Sequence, residues 1–155
     1  MDISEKSFDA QDYLYVAGEA ALMDGKAIAD AMGAAFGTAF GFLGSAGIEP
    51  LSAPISVYTE MPGKKMTFRC GFFVSPEDAA KASGDVSADV IPATKALHAL
   101  HVGPYMNMNQ THGAIWAHAK AKGLTSAMPV WEIYIDDPQK TAPEELRTEI
   151  YHSLG

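Results

Sequence analysis

Pro129-Val130-Trp131-Glu132-Ile133-Tyr134-Ile135-Asp136-Asp137-Pro138 reads as a strand closed by an acidic turn. Alternation places Val130, Glu132 and Tyr134 on one face and Trp131, Ile133 and Ile135 on the other. The second set is a plain core face. The first puts a carboxylate between apolar and aromatic neighbours in mid-strand, where Glu is a poor strand former and costs free energy to desolvate. Taken alone, such a residue belongs to a solvated outer face. Among aromatics it also reads as a charge held in a groove for something cationic or protonatable.

Outward from this strand, residues 1–10 read as a loose lead-in and Asp12 to Gly18 as a first strand. Lys26 to Ala46 has helical spacing, with Met32, Phe36, Phe40 and Leu43 as the core stripe. Gly33, Gly37, Gly41 and Gly44 form a neighbouring stripe. Each Gly costs about 1 kcal/mol of helix propensity, so close backbone packing on the sheet, the other helix or a second subunit is expected to offset it. Pro54 to Glu60 and Lys65 to Val74 read as a hairpin, and Ser75-Pro76-Glu77 opens a short helical turn. Thr94 to Val102 is a further strand. A second helix, capped by Asn109 or Thr111, runs to about Lys122 with Ile115 and Ala119 inward and Trp116 beside them. Glu145 to His152 is the last strand, with Leu146, Thr148 and Ile150 on one face.

The chain repeats itself. A shift of 76 positions aligns Phe36 to Pro62 with the second half without gaps, bringing Gly37 onto Gly113, Gly47 onto Gly123, Tyr58 onto Tyr134 and Pro62 onto Pro138. These identities fall at helix stops, a strand aromatic and a turn proline, where a shared backbone needs them. Two strand–helix–strand–strand units follow, about residues 11–75 and 94–154 of a single domain. The fold class expected is α+β with pseudo-twofold symmetry, antiparallel sheets with helices on one side, and a cleft between the halves. Glu132 breaks the symmetry, because the first half has Ser56 there. Tyr13, Tyr15, Tyr58, Tyr134 and Tyr151 share the register opposite the apolar faces, and aromatic faces attract cations.

Composition bounds the function. With 155 residues, 48% hydrophobic and 19% charged, the chain suits one globular domain. A net charge of −8 argues against direct nucleic-acid binding, which needs clustered Lys and Arg. One cysteine, Cys70, excludes an internal disulfide and reads as an inert buried thiol. The start carries no signal-peptide pattern, so a cytoplasmic location is expected. Ala31 to Ile48 is uncharged, yet its Ala/Gly content reads as a soluble helix, not a membrane span. His98 and His101 face opposite ways on a strand, and His112 and His118 diverge on a helix, so neither pair chelates a metal. Arg69 and Glu149 are candidates for an exposed ion pair. No cofactor motif is present.

The Trp131-Glu132-Ile133-Tyr134 strand with Asp137-Pro138, the His101-Val102-Gly103-Pro104-Tyr105 turn and the ending Glu145-Leu146-Arg147-Thr148-Glu149-Ile150 resemble the GyrI-like small-molecule-binding domain. This domain is also known as the AraC-type effector-binding domain. The resemblance implies the duplicated fold, and a central aromatic groove in which a strand glutamate matching Glu132 pairs with lipophilic cations. Tyr58 and Tyr134 are wall residues by that analogy; Tyr13, Tyr15 and Tyr151, with Trp116 and Tyr105, complete the candidate walls. Family regulators carry a DNA-binding domain before this one, so a stand-alone form is expected, and the Gly-rich first helix departs from the family. Three functions follow: sensing or sequestering hydrophobic, cationic small molecules; hydrolysis of cyclopropane-containing compounds with Glu132 activating water; and modulation of a protein partner such as DNA gyrase. A homodimer is compatible with the apolar first helix.

Overall fold

The computed structural model describes residues 2–155. The elements run β1 (Ile3–Phe8), β2 (Gln11–Ala21), α1 (Gly25–Ala46), β3 (Ile55–Tyr58), β4 (Lys65–Phe73), α2 (Pro76–Ala79), β5 (Ser87–Ile91), β6 (Thr94–Val102), α3 (Met108–Ala121), β7 (Ser126–Tyr134) and β8 (Arg147–Leu154). They form two compact units. The first is Ala10–Pro92, and the second joins Met1–Asp9 to Ala93–Gly155.

Both units are α+β and share one plan. The first orders its strands β3-β4-β2-β5, and the second β7-β8-β6-β1, all antiparallel. Strand, helix, strand and strand thus recur in the same order, each unit adding one edge strand. Of those edge strands, β1 lies where a loose lead-in was expected, and β5 in a stretch to which the sequence assigned no element. Ser4, Glu5 and Lys6 in β1 and Ala88, Asp89 and Val90 in β5 are exposed, so neither strand carries a strong apolar signature.

In the first unit α1 covers the sheet face that carries Leu14, Val16, Cys70 and Phe72. Asp24 caps it by accepting from the Ala27 N–H at 3.0 Å. Gly47 ends it at φ 67°, and Ile48 N–H returns to Leu43 C=O at 2.9 Å. Gly123, its mate in the repeat, does the same for α3 at φ 70°. The core stripe of α1 is Ala35, Ala39 and Leu43, with Met32 and Phe36 partly buried; Phe40 is exposed. Sheet contact selects the small residues, which let the helix lie close. The glycine stripe is exposed, and an added Cβ at Gly33, Gly37, Gly41 or Gly44 meets nothing within 4 Å. Close packing therefore does not offset these glycines among the described residues. Among the described residues α1 alone is long and apolar enough to cross a membrane, although its inward stripe packs on the sheet.

In the second unit α3 packs on Leu97, Ala99 and Ile150 through Met108, Ile115 and Ala119. It starts directly after a 3-10 turn at Tyr105–Asn107, so neither Asn109 nor Thr111 is its cap.

Candidate functional site

Three rows of the second unit's sheet face α3. His101, Thr148 and Tyr134 make one row, Ala99, Ile150 and Glu132 the next, and Leu97, His152 and Val130 the third. Glu132 therefore points beneath the helix and not into solvent, and it is only 5% exposed. Tyr134 donates its O–H to Glu132 Oε1 at 2.6 Å. From α3, His112 Nε2–H donates to Glu132 Oε2 at 2.6 Å. The other ring nitrogen of His112, Nδ1, shares a 2.7 Å hydrogen bond with His152 Nε2. A carboxylate and two imidazoles thus form one chain of short contacts, the strong class for charged partners.

His152 is fully buried and stays neutral. Burial, then the charge of His112, pulls its pKa down to about 3. Its Nδ1 has no hydrogen-bond partner among the described residues, and neither has Oγ1 of buried Thr148 on the same face. Each such atom costs roughly 1–3 kcal/mol. Aromatic rings rim the cluster. Trp116 lies 4.9 Å from the His152 ring and 5.7 Å from His112, while Tyr105 meets Tyr134 edge-on at 5.5 Å. Trp116 and Tyr105 are each 37% exposed, so the cluster has a solvent-facing edge. Burial, followed by the charges of Asp136, Asp137 and Glu132, raises the pKa of the Tyr105 phenol.

Of the residues expected from sequence, Glu132, Tyr134, Tyr105 and Trp116 come together. Tyr151 does not. It lies on the face away from α3, stacked on Trp131 at 5.1 Å and 8°, with Phe8 and His98 beside it. Trp131 and Tyr151 face each other in register, which puts Glu132 on the opposite side. In the first unit the tyrosines divide in the same way. Tyr58 packs under α1 with Ala35, Phe68 and Cys70. Tyr13 and Tyr15 lie on the helix-free face. There Arg69 donates to Tyr13 Oη at 2.9 Å and Asp89 Oδ2 at 2.6 Å, and its guanidinium sits 4.4 Å over the Tyr15 ring. Arg69 thus pairs with Asp89, not Glu149, and Glu149 lies 3.5 Å from His98.

An open groove of about 430 Å³ also occupies the first unit, lined by Ala17, Val57, Thr59, Phe68 and Arg69 with Glu19 and Glu60 at its edges. None of the Glu132 cluster lines it. Its cation already has two partners, and its shape is open, so the buried cluster is the stronger candidate.

Sequence reasoning missed His112 and His152, and the repeat shows what they replace. His112 stands at the position of Phe36, Trp116 at Phe40 and Glu132 at Ser56. Ser56 faces Cys70 as Glu132 faces Ile150; carried two residues further, the register sets Phe72 where the second unit has His152. Phe40 and Phe72 pack at 6.3 Å in the first unit, as Trp116 and His152 do in the second. One scaffold carries Phe, Phe, Ser and Phe in one copy and His, Trp, Glu and His in the other.

A family model described as the GyrI-like small molecule binding domain matches residues 1–154. No curated protein matches the sequence. Among solved structures, the EcmrR C-terminal domain aligns with TM-score 0.74 at 18% identity, covering 99% of this chain and 97% of that one. Against EcmrR in its complex with DNA and RPo the TM-score is 0.78 at 17% identity; 99% of this chain is covered, but it spans only 57% of that one. SAV2435 bound to tetraphenylphosphonium gives 0.67 at 13% identity, covering 100% and 94%. A hydrolase from Listeria innocua gives 0.64 at 15%, covering 99% and 92%. At these identities the likeness speaks for the fold.

Proposed function

Because the chain belongs to the GyrI-like small-molecule-binding family, we propose that it binds a hydrophobic, positively charged small molecule, with Glu132 as counter-charge and Tyr134, Tyr105 and Trp116 as walls. The role would be sensing or sequestration in the cytoplasm. One observation carries this reading. A carboxylate is buried in mid-strand and met at 2.6 Å by groups from its own strand and from α3, where the equivalent strand position holds an unremarkable Ser56. The fold does not require a charge there, and a buried charge costs several kcal/mol unless it is answered. The SAV2435 neighbour, which holds a lipophilic cation, supports the same chemistry.

The test is a titration of the intact chain and of Glu132→Gln with lipophilic cations and their neutral analogues, followed by tryptophan fluorescence. Cations are expected to bind the native chain at least about tenfold more tightly than the variant, since truncating one side of a buried charged contact costs about 2–5 kcal/mol. Equal affinity of both proteins for cations and neutrals would sink the reading.

A second reading has a specific observation in its favour. Tyr134 O–H and the Glu132 carboxylate stand 2.6 Å apart, an acid and a base in contact. In a hydrolase of strained rings, Glu132 would take a proton from water as its oxygen bonds to a ring carbon. The carbon–carbon bond would break, and its electron pair would take up a proton donated by Tyr134. Mass spectrometry of ligand recovered from the titration decides this, because hydrolysis adds the mass of one water.

A further inference from the structure

We infer that His112 is a built-in occupant of the Glu132 site, and that the ligand replacing it is a flat nitrogen cation bearing N–H groups, of the aryl-amidine or azole class. This rests on the small-molecule reading above and narrows it. His112 already makes the contacts expected of such a ligand. Its planar ring gives one N–H to Glu132 at 2.6 Å and holds a second polar edge 2.7 Å from His152. Its ring meets the His152 ring edge to edge, 23° from coplanar with centroids 5.0 Å apart, and lies beside Trp116.

The scaffold does not need this histidine, because the repeat places Phe36 at the same helical position, packed against the cluster of Phe68 and Cys70. The imidazole also covers what a ligand must reach. The Glu132 side chain is 6% exposed and that of His112 14%, so His112 is the outer member of the pair. A χ1 change moves its ring off the carboxylate. Glu132 then loses a charge-assisted donor, and His152, already unpartnered at Nδ1, loses its contact at Nε2. A cation shielded by carbon restores only the Coulomb attraction. A flat N–H cation restores the donor to Glu132, the contact to His152 and the place beside Trp116.

The test compares benzamidine, flat and N–H-bearing, with tetraphenylphosphonium, which has no N–H. Both are titrated calorimetrically into the intact chain, His112→Ala and Glu132→Gln. Benzamidine is expected to bind the native chain about tenfold tighter than tetraphenylphosphonium, and His112→Ala to bind it about tenfold tighter still, its internal competitor gone. Independently of any variant, the His112 ring 15N resonances of the native protein should shift as benzamidine saturates it. Unmoved His112 resonances, benzamidine affinity unchanged in His112→Ala, or benzamidine binding no tighter than tetraphenylphosphonium would overturn the inference. Cation binding that is lost in Glu132→Gln while His112 stays still would overturn this inference alone. Cation binding indifferent to Glu132→Gln would remove the reading beneath it as well.

Discussion

His152 is the residue whose chemistry is most constrained. Its pKa of about 3 in the folded chain compares with about 6.5 unfolded. Between those values the unfolded chain takes up a proton that the folded one does not. Its contribution to stability is therefore intact above pH 6.5 and lost as pH falls towards 3. Between pH 7 and pH 5 the loss is about 2 kcal/mol. Denaturant midpoints at the two pH values should show it in the native chain and not in His152→Phe, which installs the residue its repeat position carries. An equal fall in both proteins would mean that His152 does not control it. Both histidines left a signal in the sequence. His112 precedes Ile115 by three positions and Ala119 by seven, the spacing of one helix face. His152 continues the Thr148–Ile150 alternation. Weighing His112 only against His118 as a chelating pair, and His152 only as the end of the last strand, leaves their contact unseen. Glu132 and Tyr134 were legible because a charge in mid-strand is uncommon.

At the scale of elements, glycine positions divide by backbone angle. Gly37 lies in mid-α1, exposed, with nothing near an added Cβ. Gly37→Ala should therefore stabilise the chain by about 0.5–1 kcal/mol. Gly47 sits at φ 67°, and Gly47→Ala should destabilise it by about 1 kcal/mol. Thermal melts at low protein concentration read both. Destabilisation by Gly37→Ala would mean that the stripe packs against something, as the second-subunit expectation has it. Strand and helix positions were largely legible from periodicity, but the helix-covered face was not. Val130, Trp131 and Glu132 are all buried, so alternation separates two faces of β7 without saying which lies beneath a helix. Choosing the Trp131 side as the core grouped Tyr151 with Glu132 in error.

At the scale of the molecule, one sequence plan is used twice with different chemistry. The first unit keeps apolar rings under its helix and gathers Arg69, Asp89, Tyr13 and Tyr15 on its helix-free face. The second unit holds its polar cluster under the helix. The duplication was legible from the 76-residue shift, because helix stops and a turn proline recur where the backbone needs them. The division of labour was not, since it depends on which side chains meet across strands. On the proposed function the ligand binds in the second unit, at Glu132. The measurement that tests this most directly is a two-dimensional 15N NMR titration of the intact chain with the tightest-binding lipophilic cation. Shifts should concentrate at Glu132, Tyr134, the first turns of α3 and the Trp116 indole. Shifts confined to Tyr15, Arg69 and the groove between Ala17 and Thr67, with Glu132 and its neighbours unmoved, would contradict it.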